Sequence, residues 1–293
     1  MTQKRYFILV NPVAGNGKSL DKIDRIREEF SRREVAFDLY ETNGNARANI
    51  IIRNRFHPGL YSDILILGGD GTINETLNGL KYRDVPLSVI SMGTGNDTIK
   101  HIHKKLDFDY QLKTAIEGIP VRIDAGLCND KVFLNGVGIG FDGKVVELLD
   151  RTGKKPEGHR AYMHAVLKIL LTYREKEILA HYDGGEIREK IFLMTITKGT
   201  TFGGGFLVNP FAKNDDGLLD ICLFKKTPLW MRIFYLPRMK NGGHAKLDVV
   251  SFFKSKKVNI EKSEHLVAHM DGEFIGHPPF AISVMPSAFL FRI

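Results

Sequence analysis

A glycine-rich pentapeptide, Gly-Gly-Asp-Gly-Thr at residues 68–72, is the segment whose residue types point most directly to chemistry. It follows an apolar run at residues 64–67 and precedes Ile73, Leu77 and Leu80, whose spacing predicts a helix. Glycines let the backbone approach a ligand closely, and the unpaired N–H groups at a helix start favour negative charge. A strand, a glycine turn and a helix in this order therefore predict a phosphate-binding site.

The acidic residue of this turn, Asp70, narrows the kind of phosphate site. A carboxylate inside an anion cradle repels phosphate unless a cation lies between them. Asp70 therefore predicts either a metal-bridged nucleotide or a catalytic carboxylate. The alternative is that Asp70 caps the following helix and that the glycines only make a tight turn. The turn by itself leaves both interpretations open.

A second acidic turn, Asp-Gly-Glu at residues 271–273, follows a predicted strand at residues 266–270. A glycine between two acids allows both carboxylates to face one cleft. A carboxylate placed in this way can orient a substrate group and accept its proton. The surrounding His265, His269 and His277 have no metal-ligand spacing, which predicts surface or core positions for them.

A third acidic turn, at residues 213–218, has the groups that a magnesium site needs. Asp216 can offer a carboxylate, and Lys213 and Leu218 can offer backbone carbonyls, with waters completing an octahedron. The alternative is an ordinary Asp-Gly hairpin. The residues alone favour the hairpin.

Composition limits the class of protein. The 293 residues are 43% hydrophobic and 26% charged, which is typical of a globular protein with room for two domains. The net charge of +8 suits an anionic nucleotide, an acidic membrane surface or nucleic acid without choosing among them. Cys128 and Cys222 have no metal-ligand spacing, and no apolar stretch approaches the ~18 residues of a membrane span. We therefore expect a reduced, cytoplasmic protein for which only a peripheral membrane contact is open.

The first half of the chain alternates strands with helices. The predicted strands lie at residues 6–10, 37–40, 64–67 and 86–90, and the predicted helices at residues 19–30 and 46–56. This alternation predicts a parallel sheet covered by helices. Because the carboxyl ends of parallel strands form the ligand crevice, the loops at residues 11–19, 68–72 and 91–97 should converge there.

Two common nucleotide motifs do not match. Gly17-Lys18-Ser19 resembles the end of a P-loop, but Pro12 stands where that motif requires a glycine and has no N–H to offer. Lys18 is then either a phosphate ligand or a solvated lysine at a helix start. No Gly-x-Gly-x-x-Gly with a ribose-binding acid follows the first strand, which argues against a dinucleotide dehydrogenase.

After Asp124 the pattern changes to short alternating strands, which predicts an antiparallel β domain. These strands are predicted at residues 131–135, 178–182, 190–197, 219–224, 258–261, 266–270, 280–284 and 288–292. Two helices are predicted within it, at residues 159–174 and 229–236. Thr227 and Pro228 should begin the second helix, and Pro237 should end it. Its aromatic residues fit core packing, and the alternative is membrane contact through Trp230 and its basic neighbours.

Three motifs, in this order and spacing, carry a family resemblance: residues 11–15, 68–75 and 93–97. They resemble the catalytic domain of the diacylglycerol kinase and sphingosine kinase superfamily, in its bacterial soluble branch. The resemblance implies an α/β plus β fold, with a nucleotide-binding α/β domain over residues 1–125 and a β-rich, sandwich-like acceptor domain over residues 126–293. It places the active site in the cleft between them, and the last strand, about residues 281–293, is a candidate to return to the first domain.

The resemblance also implies the cofactors and their residues. Mg²⁺ is expected at Lys213, Asp216 and Leu218. Glu273 is the implied proton acceptor, with Asp271 and Asp70 in a water and metal network beside it. ATP is expected to bind Asn11, Pro12, Val13, Ala14, Gly15, Thr42, Gly68, Gly69, Asp70, Gly71, Thr72, Ile73, Asn74 and Thr94.

These features predict an ATP- and Mg²⁺-dependent lipid kinase that phosphorylates a lipid alcohol, with diacylglycerol as the expected acceptor, at the inner face of the membrane. No nucleic-acid partner is expected, and a homo-oligomer is compatible with the sequence. An NAD kinase shares the Gly-Gly-Asp-Gly motif, but the loop at residues 93–97 and the terminal Asp-Gly-Glu argue against it. A non-catalytic nucleotide-binding regulator is the other alternative, and the joint presence of Asp70, Asp271 and Glu273 argues against it.

Overall fold

The computed structural model describes residues 4–43, 47–93, 95–151 and 159–293. The chain divides into two compact units. The first consists of Met1–Ile123 and Ser287–Ile293, and the second of Asp124–Pro286.

The first unit is an α/β fold on parallel strands, as predicted. Its strands pair in the order β2-β1-β3-β4. All six residues of β3 are buried, as expected for a central parallel strand covered on both faces. The strands are β1 (Arg5–Val10), β2 (Ala36–Glu41), β3 (Asp63–Gly68) and β4 (Pro86–Ser91). The helices are α1 (Lys18–Arg32), α2 (Ala48–Arg55), α3 (Asp70–Gly79), α4 (Asp97–Lys100) and α5 (Phe108–Glu117).

The core of the first unit lies between the sheet and its helices. Tyr6 and Phe30 meet edge to face at 5.0 Å, and the Tyr6 hydroxyl donates a hydrogen bond to the Ala115 carbonyl. Arg292 forms a buried salt bridge with Asp63 at 2.6 Å. That bridge fastens the C-terminal residues to the start of β3.

The second unit is β-rich, and its strands pair antiparallel, as predicted. Its strands begin with β5 (Pro120–Cys128), β6 (Lys131–Phe133), β7 (Gly136–Gly140), β8 (Lys176–Tyr182), β9 (Gly185–Thr197) and β10 (Leu219–Lys225). They continue with β11 (Val250–Ser255), β12 (Lys257–Ile260), β13 (Ala268–Met270), β14 (Glu273–Gly276) and β15 (Phe280–Arg292). The division between the two units falls within β5 and within β15, so the first residues of β5 and the last residues of β15 belong to the first unit. The helices are α6 (Phe141–Arg151), α7 (His159–Thr172) and α8 (Leu229–Lys240).

The strand order of the second unit brings distant segments together. A central ladder runs β13-β7-β9-β8-β12, and β10 pairs with both β9 and β11. Short 3-10 helices lie at Ala14–Gly17 in the first unit and Gly243–Lys246 in the second.

Several element predictions were wrong. The sequence patterns did not reveal α5, α6, β5, β7, β11 or β14, and the two strands predicted near the C-terminus form one strand, β15. Three of the five residues of β7 are glycines, so it lacks the branched side chains that mark a strand. The backbone of β7 is held extended by its pairing with β9 and β13, and not by the preferences of its own residues.

The limits of α8 also differ from the prediction. Pro228, not Thr227, is the N-cap residue, and the Thr227 hydroxyl donates to the Lys225 carbonyl instead. The helix continues through Pro237 to Lys240. The buried Tyr235 and Met239 on either side of the proline hold both halves of the helix against the same core.

Gly79 lies where α2 and α3 pack closely against each other. A Cβ at this position would lie 2.4 Å from Ile52 Cγ2 and 2.6 Å from the Asn49 carbonyl oxygen. We expect Gly79→Ala to lower the free energy of unfolding by about 1–3 kcal/mol, because the helices must separate to admit the methyl group. Urea denaturation measures the change.

Gly243→Ala is the matched control, since its added Cβ would meet nothing nearer than 3.7 Å. An equal loss in both variants would show that helix contact is not the cause.

Candidate active site

The loops predicted to bind a nucleotide lie at one edge of the first unit's sheet. Strands β1, β3 and β4 are parallel neighbours, so the loops that follow them leave from the same side. The Asn11 N–H donates to the Leu67 carbonyl at 2.9 Å, and the Met92 N–H donates to the Gly68 carbonyl at 2.9 Å. These bonds hold the start of each loop against its neighbour.

The side chain of Asn11 joins two of these loops. Its Oδ1 accepts the Val13 N–H at 3.2 Å, and its Nδ2 donates to Thr72 Oγ1 at 3.0 Å. Gly15 has φ +61°, and a Cβ there would lie 2.6 Å from the Met92 carbonyl oxygen. Asn11 thus orders the loop after β1, and Gly15 lets it approach the loop after β4.

The glycines of the turn at residues 68–72 are required by close packing. A Cβ on Gly68 would lie 2.5 Å from Thr72 Cβ, and one on Gly69 would lie 3.2 Å from the Cα of Gly93. The turn opens α3, whose first N–H groups have no acceptor within the helix. This end of α3 therefore presents backbone donors and a partial positive charge.

Asp70 links the glycine turn to the loop after β4. Its carboxylate accepts the N–H groups of Asp97 at 3.2 Å and Thr98 at 3.0 Å, at the start of α4. Burial raises the pKa of Asp70 above its ordinary value, and the Thr98 N–H bond opposes that rise. The N-cap of its own helix is Gly69. Asp70 therefore acts as a cap for α4 rather than for α3.

The remaining nucleotide residues from the prediction occupy different environments. Ile73 is buried, and its N–H donates to the Gly69 carbonyl, so it packs the turn against the core. Asn74 Oδ1 accepts a hydrogen bond from Asn78. Thr94 lies outside the described residues.

Thr42 follows β2 and donates its N–H to the Val10 carbonyl at 2.8 Å, which places it at the same sheet edge. Val13 and Gly71 are exposed, and Pro12 is partly buried. The exposed residues leave the approach to the turn open.

In the second unit, the Asp271-Gly272 turn joins β13 to β14. Both residues have positive φ, +48° and +85°, as a two-residue type I′ hairpin requires. The Asp271 carboxylate accepts three successive backbone N–H groups, from Leu134 at 3.1 Å, Asn135 at 3.1 Å and Gly136 at 2.8 Å. The charge of Asp271 is thus used to anchor the turn.

Glu273 is placed differently from Asp271. It is the first residue of β14 and is exposed, and within the described part of the chain its carboxylate has no hydrogen bond or ion pair. The two acids of this turn therefore do not share one environment. Glu273 is the one whose oxygens are open to a ligand.

The buried His269 forms a hydrogen bond to the Asp271-Gly272 turn. His269 Nδ1 accepts the Gly272 N–H at 3.3 Å, and its Nε2 lies 3.2 Å from Asp142 Oδ2. The first bond requires an unprotonated Nδ1, so Nε2 carries the hydrogen and donates to Asp142. A Cβ on Gly138 would lie 1.8 Å from Asp142 Oδ2, so only glycine leaves room for this pair.

Sequence reasoning placed His269 in the core or on the surface and missed this role. Asp142 is 127 residues away along the chain. The pairing of β13 with β7, which sets His269 opposite Gly138, is what brings the two side chains together.

The turn predicted to bind magnesium already holds a cation. The Lys198 ammonium donates to the Leu218 carbonyl and to Asp216 Oδ1 at 3.2 Å. Lys213, the third predicted ligand, donates its N–H to Asp220 at 3.1 Å. Among the described residues, no group of three or more His, Cys, Asp or Glu could hold a metal ion. The donor set at this turn therefore does not fit Mg²⁺ with the side chains so arranged.

Two family models match consecutive parts of the chain. The diacylglycerol kinase catalytic domain matches residues 5–128, and the YegS C-terminal NAD kinase beta sandwich-like domain matches residues 135–291. The chain belongs to the diacylglycerol kinase and lipid kinase family. The resemblance inferred from the three motifs is confirmed, and so is the α/β plus β fold class.

Relatives match nearly end to end at low identity. The diacylglycerol kinase of Staphylococcus carnosus (strain TM300) is 26% identical over 94% of this chain and 91% of that protein. YtlR of Bacillus subtilis (strain 168) is 27% identical over 96% of this chain and 97% of that protein. A solved diacylglycerol kinase structure from Bacillus anthracis str. Sterne is 22% identical, with a TM-score of 0.75 over 100% of this chain and 97% of that one. At that identity, the structural likeness supports the fold.

The His269 contacts predict different effects of two conservative variants. His269→Asn keeps an acceptor near the Nδ1 position for the Gly272 N–H, whereas His269→Gln keeps only a donor toward Asp142. Losing a hydrogen bond of about 1 kcal/mol should speed hydrogen exchange of the Gly272 amide about fivefold in His269→Gln. Exchange measured by NMR should stay near the parent rate in His269→Asn. Identical rates in both variants and the parent would remove the supporting role.

Proposed function

We propose that this protein is an ATP- and Mg²⁺-dependent kinase that transfers the γ-phosphoryl group of ATP to the hydroxyl of a lipid alcohol. Diacylglycerol, which would give phosphatidic acid, is the first candidate acceptor. The main support is the Asp-Gly-Glu turn at residues 271–273 in a chain of this family. Asp271 accepts hydrogen bonds from three backbone N–H groups, whereas Glu273 is exposed. That arrangement leaves one acid of the pair for proton transfer.

The nucleotide half of the proposal rests on the turn at residues 68–72. Gly68 and Gly69 let the turn pack closely against Thr72 and Gly93, and the turn opens α3, whose first backbone N–H groups and positive dipole end favour a phosphate. Mg²⁺ bound with the nucleotide would neutralise charge on the transferring group. Each oxygen of Asp70 accepts one backbone N–H and has a second lone pair, so Asp70 is the carboxylate of this turn that would orient such an ion. The hydrogen bond between Asn11 and Thr72 keeps the two loops in place.

The chemistry assigned to Glu273 is that of a general base. The lipid hydroxyl oxygen forms a bond to the γ-phosphorus as the bond to the bridging oxygen breaks and ADP leaves. Glu273 accepts the hydroxyl proton in this step. Asp271 and His269 contribute by holding the turn from which Glu273 projects.

An NAD kinase is the second candidate function. The family model of the second unit is named for a likeness to the NAD kinase β sandwich, which favours it. The loop at residues 93–97 and the Asp-Gly-Glu turn favour a lipid acceptor instead. A regulator that binds nucleotide without catalysis would not need an exposed Glu273 beside an anchored Asp271.

The acceptor is expected at a membrane surface, on the cytoplasmic side. No helix in the described segments has both the length and the apolar character to cross a bilayer. Helices α7 and α8 offer an alternative mode of contact. Large apolar side chains are exposed on both of them, a set we name the α7–α8 patch: Leu167, Leu171, Leu229, Trp230, Ile233 and Phe234.

The charges around the α7–α8 patch fit an anionic lipid surface. Neither helix contains an aspartate or glutamate, and Lys168, Arg238 and Lys240 are exposed on them. Apolar side chains flanked by basic ones are the pattern of a helix that lies in a membrane interface.

Arg232 holds these two helices in a fixed relation. Its buried guanidinium donates to the carbonyls of Leu170 at 3.1 Å and Tyr173 at 2.7 Å, and it pairs with Glu175 at 2.6 Å. The patch is therefore presented on a preformed surface.

The base assignment predicts the kinetics of Glu273→Gln. We expect kcat to fall by about 10²- to 10⁴-fold while ATP affinity stays near that of the parent, because only the proton acceptor is lost. Steady-state kinetics with saturating lipid, together with nucleotide titration, measure both quantities. Glu264→Gln, which alters an exposed acid elsewhere in the same unit, is the control.

Parental kcat in Glu273→Gln combined with a large loss in Asp271→Asn would move the base to Asp271. A change confined to KM in Glu273→Gln would indicate a binding role.

The α7–α8 patch predicts a fluorescence signal, because Trp230 is the only tryptophan in the chain. Vesicles rich in phosphatidylglycerol should shift its emission to shorter wavelength, and neutral phosphatidylcholine vesicles should shift it less. Ile233→Ser with Phe234→Ser should weaken vesicle binding at least about tenfold, because two half-exposed apolar side chains are lost from the interface. Ile119→Ser is the control, since Ile119 is 72% exposed but lies in the first unit. Unchanged binding by the double variant would exclude the patch.

A further inference from the structure

Lys198 is a charged residue whose side chain is fully buried in the second unit. It follows β9 directly, and its side chain has an exposed fraction of 0%. Its ammonium donates to Asp124 Oδ2 at 3.1 Å, Asp216 Oδ1 at 3.2 Å and the Leu218 carbonyl. A lysine ammonium has three N–H donors, so all three are satisfied. A buried charge is tolerated only when it is paired in this way.

Two partners of Lys198, Asp124 and Asp216, also form hydrogen bonds to the backbone of the acidic turn at residues 213–218. Asp124 Oδ2 accepts the Gly217 N–H at 2.7 Å, and the Asp124 N–H donates to the Asn214 carbonyl at 2.7 Å. Asp216 Oδ1 accepts the Leu218 N–H at 3.2 Å. The ammonium therefore lies where carboxylate and carbonyl oxygens of the turn converge.

A second lysine pairs with the outer side of the same turn. Lys254 Nζ contacts Asp216 Oδ2, and it lies 3.1 Å from Asp220 Oδ1. Burial alone would raise the pKa of Asp216, but the bonds from Lys254 and Lys198 outweigh it and hold that pKa below its ordinary value. Asp216 is thus an ionised carboxylate with a cation on each oxygen.

The two lysines of this cluster nearly neutralise its carboxylates without a metal ion. Asp124, Asp216 and Asp220 carry three negative charges, and Lys198 and Lys254 carry two positive charges, so the net charge is −1. A divalent ion would reverse it to +1. The ion would also have to take the oxygens of Asp216 and Leu218 from the Lys198 ammonium.

We propose that the ammonium of Lys198 is the resident cation of this turn and replaces a divalent metal there. The second unit therefore folds and keeps this turn without Mg²⁺. Removing the ammonium should open a divalent-cation site made by Asp124, Asp216 and the Leu218 carbonyl. This inference goes beyond the proposed kinase reaction, and its test needs neither ATP nor lipid.

The test compares the parent with Lys198→Met, which keeps the length of the side chain and removes its charge. Thermal unfolding is followed in EDTA and in MgCl₂ or CaCl₂, without nucleotide. The parent should unfold at the same temperature in all three. Lys198→Met should be less stable in EDTA and should be stabilised by metal, by about tenfold in its folding equilibrium at a metal concentration of about ten times Kd.

Lys254→Met is the matched control. It removes a lysine from the same carboxylates but leaves the Lys198 ammonium in place, so its stability should stay independent of metal. Stabilisation of Lys254→Met by metal to the same extent as Lys198→Met would overturn the assignment to Lys198.

A direct binding measurement covers the case in which Lys198→Met does not fold under either condition. Mn²⁺ binding is counted by electron paramagnetic resonance in the parent and in Asp216→Asn. The proposal expects equal binding, because the parent holds no metal at this turn. An ion bound by the parent and lost in Asp216→Asn would overturn it.

Discussion

Carboxylates that accept the backbone N–H groups of another loop organise each unit of this protein. Asp70 holds the start of α4 in the first unit, and Asp271 holds three successive amides in the second. Hydrogen bonds to an ionised acceptor contribute about 1.5–3 kcal/mol each, roughly twice as much as neutral ones. Glycine turns are permissive by themselves, so it is these bonds that keep the turns in one conformation.

The same interaction separates the roles of neighbouring acids. An acid whose oxygens accept several amides is committed to structure, whereas an exposed one beside it is available for proton transfer. Asp271 and Glu273 illustrate that difference within three residues. The cluster around Lys198 extends the principle to cations, because a buried ammonium there satisfies oxygens that would otherwise suit a metal.

The sequence predicted what local patterns encode. Four apolar strands, the glycine turn and the family motifs were all readable, because each lies within a few adjacent residues. Contacts made through strand pairing were not readable. Asp142 meets His269 across 127 residues, and Lys198 reaches Asp124 across 74. The ammonium of Lys198 at the turn predicted to bind Mg²⁺ was not readable for the same reason, since residues 213–218 contain no sign of the lysine that follows β9.

Transfer of phosphate from ATP to a lipid hydroxyl can be followed directly with γ-labelled ATP in the presence of diacylglycerol vesicles, a set of other lipid alcohols, and NAD. We expect Mg²⁺-dependent label in the lipid phase and none in NAD. Label in NAD alone, or release of inorganic phosphate at a rate that lipid does not change, would contradict it.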